Sequence, residues 1–165
     1  MVTVRSVTLW MLLAMLAGLI TYTLWRRGGM RASVALILPI LVFYLSFVLT
    51  ITLFERTAVG EPRYELELFW SYKAIAAGTT KLAAENFWNV VLFVPIGVLF
   101  SLLLKKRLWL SVLLGALLSA GIEVAQLVTH RGLFEWDDMI HNSLGALIGW
   151  LLFLPLRKQG RREDV

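Results

Sequence analysis

Cysteine is absent from the chain, so it can form no disulfide, no thiolate nucleophile and no thiolate metal site, and its redox compartment leaves no mark on the sequence. Charge is scarce as well: only 16% of the 165 residues are Asp, Glu, Lys or Arg, against 59% that are hydrophobic. A soluble domain of this length does not need that much apolar material to fill one core, and that class is excluded. Histidine occurs twice, as His130 and His141. No His-x-x-x-x-His spacing is present, and no serine stands beside a histidine as a nucleophile would. Internal repeats, low-complexity segments and a second domain are missing too.

What is abundant is apolar sequence in long runs. Five approach the roughly 20 residues that a membrane-spanning helix needs: Val7–Trp25, Ser33–Phe54, Asn86–Leu104, Leu108–Thr129 and Asp138–Leu156. The first could be a signal peptide, since Arg5 precedes it, but its core is too long and no small-residue cleavage site follows before Arg26 and Arg27. It reads as a retained helix. The expected fold is an all-α integral membrane protein of about five spanning helices, one membrane domain over residues 1–165. Within it stand two N-terminal helices (1–60), an extracytoplasmic interfacial loop (61–84), a three-helix core (85–152) and a basic tail (153–165).

The net charge of +5 resides in short clusters beside the apolar runs rather than along one polar face, which points to membrane anchoring and away from nucleic acid. Arg26, Arg27 and Arg31 fill the first loop, Lys105, Lys106 and Arg107 the third, and Arg157, Lys158, Arg161 and Arg162 the tail. By the positive-inside rule these ends face the cytoplasm, which sets the N-terminus outside and the C-terminus inside. The second loop, Glu55–Glu85, and the fourth, His130–Asp137, are then extracytoplasmic. Arg5 runs against this trend and leaves open a re-entrant hairpin of the first two runs. In the second loop, Tyr64 to Trp70 alternates like a short extended segment at the interface. Trp70, Tyr72, Trp88 and Trp136 suit an aromatic belt at headgroup level.

Against this apolar background a few polar residues stand out, and an ionisable group near hydrocarbon marks a site until shown otherwise. Glu123 and Gln126 are three apart and share a helix face, with His130 one turn further out. Counting back from Thr129, Glu123 lies roughly 9 Å inside the helix end. It must be neutral, paired with Arg131, or facing a wet cavity. Asp138 and Asn142 share a stripe that continues through Gly145 and Gly149, a small-xxx-small seam for close helix packing. Gly115, Ala116, Ser119 and Ala120 give the fourth helix a comparable surface, so these two helices are expected to pack together. Asn86 is placed to cap the third helix, with Asn89 on the same face. Pro95 and Gly97 fall mid-membrane, where a proline kink would open space beneath the polar cluster. Glu123 with either histidine could act as acid and base, and Asp137, Asp138 and Glu123 could hold a metal with a histidine. Neither pattern is specific, so no metal and no cofactor is expected. Arg131 with helix-end donors suits a phosphate or carboxylate.

These residues also form a pattern as a group. Asn86-Phe87-Trp88-Asn89-Val90-Val91-Leu92-Phe93-Val94-Pro95-Ile96-Gly97, then Glu123-Val124-Ala125-Gln126 with Arg131, then Asp138-x-x-x-Asn142-x-x-Gly145-x-x-x-Gly149, closely resemble the VanZ-like family of bacterial membrane proteins. The likeness covers residues 85–152. The family commonly carries an Asn-Leu-Ile-Pro-Phe-like segment before the third helix, where this chain has Leu66-Glu67-Leu68-Phe69-Trp70 without its proline. The resemblance implies a multi-pass protein of the bacterial cytoplasmic membrane, associated with resistance to glycopeptide antibiotics, teicoplanin above all, and attaches no catalytic activity. The positions carried over are Asn89, Phe93, Pro95, Gly97, Glu123, Gln126, Arg131, Asp138, Asn142, Gly145 and Gly149.

The expected function is a non-enzymatic cell-envelope protein that binds a membrane lipid, a wall precursor or a lipoglycopeptide through Asn86, Asn89, Glu123, Gln126, Arg131, Asp138 and Asn142. Phe93, Pro95, Gly97, Gly145 and Gly149 shape the scaffold. An intramembrane enzyme acting on a lipid or wall precursor, with Glu123 or Asp138 as acid or base, is the first alternative. The second is a small transporter or assembly subunit whose glycine seams bind another helix or a second copy.

Overall fold

The computed structural model describes residues 3–104 and 109–160, with side chains as far as residue 154. Lys105, Lys106 and Arg107, and the tail residues Arg161 and Arg162, lie outside the described residues, as do the side chains of Arg157 and Lys158. The chain is helical almost throughout: α1 (Val4–Arg26), α2 (Ala32–Leu49), α3 (Trp70–Ala76), α4 (Lys81–Leu103), α5 (Trp109–Thr129) and α6 (Trp136–Gly160). A π-helical turn, Thr50–Phe54, extends α2, and two-residue strands β1 (Tyr64–Glu65) and β2 (Phe134–Glu135) complete the list. Four helices are long and apolar enough to cross a membrane among the described residues: α1, α2 with its π-turn, α4 and α5. The fifth apolar run is α6, whose 25 residues supply the length while its first turns carry Asp137, Asp138, His141 and Asn142.

Two compact units emerge, Met1–Thr57 and Ala58–Val165. In the first, α1 and α2 form an antiparallel pair fastened near both ends. The Trp10 indole donates to Thr50 Oγ1 at 2.9 Å and meets Phe43 and Phe47 edge-on. Thr21 Oγ1 donates to the Ala35 carbonyl at 3.0 Å. Such polar links have no water to compete with them in hydrocarbon. Most other apolar side chains of α1, from Leu9 to Trp25, are exposed, as a lipid-facing helix requires.

In the second unit α4, α5 and α6 pack around Phe93, Ile96 and Ala146, each 0% exposed. Glycines set the spacing. A Cβ built at Gly97 would lie under 3.0 Å from the Ala146 carbonyl, one at Gly145 would meet the Val90 carbonyl, and one at Gly149 would meet the Val94 carbonyl and Val98 nitrogen. No flexible side chain stands there to yield, so α4 and α6 touch backbone to backbone. The seam of α6 therefore serves α4, while α5 joins α6 through Gly115 beside Ala146 and through Ser119. This also revises the reading of Pro95 and Gly97: α4 continues as helix through Pro95, and the room left at Gly97 is filled by α6 rather than by a cavity.

Helix α4 begins at Lys81, not at Asn86. Lys81-Leu82-Ala83-Ala84-Glu85 are strong helix formers, but the charges of Lys81 and Glu85 set them apart from the apolar run that begins at Asn86. Asn86 accordingly stands in the second turn and caps nothing. Of the alternating segment, Tyr64 and Glu65 are extended, whereas Trp70 already opens α3.

Candidate functional site

The second and fourth loops, more than 60 residues apart in sequence, meet at one end of the three-helix core. β1 pairs in parallel with β2, Tyr64 opposite Phe134 and Glu65 opposite Glu135. Val59 N donates to the His130 carbonyl at 2.8 Å and Phe134 N to the Arg63 carbonyl at 3.0 Å. This pairing delivers α3 onto the start of α6.

Asp137 is the fastener. Its carboxylate is 1% exposed and accepts from Phe69 N at 2.6 Å, Ser71 N at 3.0 Å and Ser71 Oγ at 2.6 Å. A carboxylate at the first turn of α6 also faces that helix's positive end, and it takes up the amides that α3 leaves unpaired at its own start. Phe69 reaches this geometry in the left-handed region, at φ 61°. Asn86 Nδ2 donates to Ser71 Oγ at 3.0 Å, which ties α4 into the same chain of bonds.

The remaining polar residues are fixed one by one around this centre. Asn89 Nδ2 donates to Asp138 Oδ1 at 2.7 Å, linking α4 to α6. Glu123, 1% exposed, accepts from Glu135 N at 3.0 Å. Asn142 Nδ2 donates to Ser119 Oγ at 2.9 Å, one turn deeper. Gln126 is 1% exposed, and its backbone carbonyl accepts from Arg131 N at 2.9 Å. Arg131 is half-buried at that helix end. His130 closes α5 in the left-handed region, φ 56°, the position where glycine usually ends a helix. The seven residues expected to bind a ligand thus gather at one end of the core, distributed over several local pairs.

Sequence reasoning missed several members. Glu135 accepts from the Trp70 indole at 2.9 Å. Burial pushes its carboxyl up to about 7, Asp138 adds to the rise, Trp70 opposes it, and Asp137 and Glu85 contribute smaller upward effects. The Tyr72 hydroxyl hydrogen-bonds His141 Nε2 at 2.8 Å; the imidazole is buried and the phenol half-exposed. Trp70 and Tyr72 are therefore part of the polar network, while Trp88 and Trp136 remain exposed at the same end. Asp137 was named from the sequence only as a possible metal ligand, and the adjacent acids Asp137-Asp138 at a helix start were the available signal for its fastening role. Ser71 offered none, since only the tertiary docking of its loop gives it a partner. Among the described residues no three His, Asp or Glu side chains gather as a metal set. Asp137 and Asp138 turn to different partners.

An all-α membrane protein with a hydrogen-bonded polar layer at one end of a glycine-packed core is the class that fold and site define. The family model described as VanZ/LLP1 matches residues 35–157, most of the chain, and the chain belongs to this VanZ-like family. No curated protein and no solved structure matches it.

Proposed function

We propose that the protein sits in the bacterial cytoplasmic membrane with its N-terminus outside and its C-terminus in the cytoplasm, and binds an amphiphile at the outer leaflet without transforming it. The observation that carries this reading is the engagement of Asp137: both its oxygens hold the second loop in place, so one of the two most enclosed acids of the site, as buried as Glu123, is a fastener rather than a proton acceptor. The loop it holds presents Leu66, Leu68, Phe69 and Tyr72, each more than half exposed, beside the polar layer. An apolar rim beside a polar floor fits a ligand with an acyl tail and a polar head.

The floor is rich in acid, with Glu85, Glu123, Glu135, Asp137 and Asp138 near one another and Arg131 at its margin. Such a floor favours heads that donate hydrogen bonds or carry amines over heads that present phosphate alone. A lipoglycopeptide or the peptide stem of a wall precursor meets that description, and protection against teicoplanin follows from holding the drug away from its target. The test is teicoplanin and vancomycin susceptibility in a sensitive Gram-positive host at matched membrane levels. Wild type is expected to protect, and Glu123→Gln and Arg131→Ala are expected to abolish protection; unchanged protection in both variants would place the ligand elsewhere.

One observation favours a second reading. A half-exposed phenol on a buried imidazole, Tyr72 on His141, is a proton-transfer pair of the kind an intramembrane enzyme uses. A precursor pool whose masses shift with wild type and not with Tyr72→Phe would replace the binder with an enzyme.

A further inference from the structure

The α1–α2 unit carries a feature unrelated to the polar layer. Near the loop joining the helices, an apolar groove of about 470 Å³ is lined by residues that include Gly18, Tyr22 and Trp25 of α1 and Ala35, Leu36 and Pro39 of α2. It exists because the residues at its base are small: a Cβ at Gly18 would only just touch the Pro39 ring, 3.7 Å away. Thr21 pins the two helices at this level, so the groove is held open by a fixed pair.

Directly beyond the groove lie Arg26, Arg27 and Arg31, all exposed. None of the three has a side-chain hydrogen bond or ion pair among the described residues. The only acidic residue of this unit is Glu55, at the far end of the helix pair. Three guanidinium groups in one loop with no internal counter-charge call for an external anion, and guanidinium matches phosphate with paired hydrogen bonds. They also repel the same loop of a second, parallel copy. Trp25, next to Arg26, and Tyr22, one turn further in, stand at the depth where aromatic side chains meet the glycerol and headgroup region.

We infer that this groove binds one anionic phospholipid, its acyl chain lying along Gly18 and Pro39 and its phosphate held by Arg26, Arg27 and Arg31. The occupant is distinct from the ligand of the polar layer, and the inference stands whether or not that layer binds an antibiotic.

Native mass spectrometry of the detergent-purified full chain, titrated in parallel with palmitoyl-oleoyl phosphatidylglycerol and the matching phosphatidylcholine, tests it. One phosphatidylglycerol should be retained roughly tenfold better than phosphatidylcholine. That preference should vanish in the triple variant Arg26→Gln, Arg27→Gln, Arg31→Gln and return in part with lysine at the three positions. Ala35→Phe fills the groove from α2 and Gly18→Leu from α1, and both should release the lipid with every arginine still present. Circular dichroism of each variant checks that the helices persist, and two filling routes guard against one misfolding. Equal retention of the two lipids by wild type would overturn the site. So would tight phosphatidylglycerol binding by both filled variants, which would leave surface charge alone, or a lipid-free dimer of wild type, which would give the groove to a second copy.

Discussion

A buried carboxylate persists only where donors surround it, and the donors of Asp137 all come from residues 69–71, at the start of α3. Asp137→Ala leaves Phe69 N and Ser71 N without acceptors, at about 1–3 kcal/mol for the buried Ser71 amide. Amide exchange over residues 69–76 should therefore quicken at least tenfold, with a lower thermal midpoint in detergent; unchanged exchange would mean that other contacts suffice to dock α3. Glu135 adds a pH dependence with a definite sign. Its carboxyl is raised from 4.5 to about 7, so the docked state binds the proton more tightly than the undocked one. Docking thus weakens as pH rises from about 4.5 to about 7 and levels off above. Exchange over residues 64–76, corrected for intrinsic rates, should be faster at pH 8 than at pH 5, and Glu135→Gln should flatten the difference. His130, left-handed at φ 56°, predicts the opposite kind of effect: His130→Gly relieves backbone strain of about 1 kcal/mol and should raise the midpoint.

Between helices, glycine decides. Gly145→Val and Gly149→Val each drive a branched side chain into the backbone of α4, where nothing can give, and each should cost several kcal/mol and yield protein that aggregates on size exclusion. Gly121, whose added Cβ would meet nothing within 4 Å, is the matching control, and Gly121→Ala should leave the fold intact. The spanning helices were legible in advance because apolar runs report them directly, and the seam was legible because Gly145 and Gly149 repeat at helical spacing. The partner of the seam was not, since spacing says which face is small and not which neighbour uses it. Asn86 looked like a cap because the charged residues Lys81 and Glu85 hide the true helix start from a hydropathy reading. The loop residues Ser71 and Tyr72 were invisible as site members because a seven-residue helix takes its place from tertiary contacts alone.

At the scale of the whole chain, orientation is open to direct measurement because there is no cysteine to mask. Gly60→Cys and Arg27→Cys, both at exposed positions, should react oppositely with a membrane-impermeant thiol reagent added to intact cells. Labelling at residue 60 and protection at residue 27 is the expected pattern, and the reverse would invert the proposed topology. The parallel pairing of β1 with β2 also bears on how the protein is made. Tyr64 and Glu65 leave the ribosome long before Phe134 and Glu135, with two membrane crossings to complete in between, and a parallel partner cannot be supplied by any nearby turn. The second loop must wait undocked until α6 begins to emerge. The polar layer thus cannot be assembled before α6 emerges, and any chain cut short before Asp137 lacks α6 and leaves its site open.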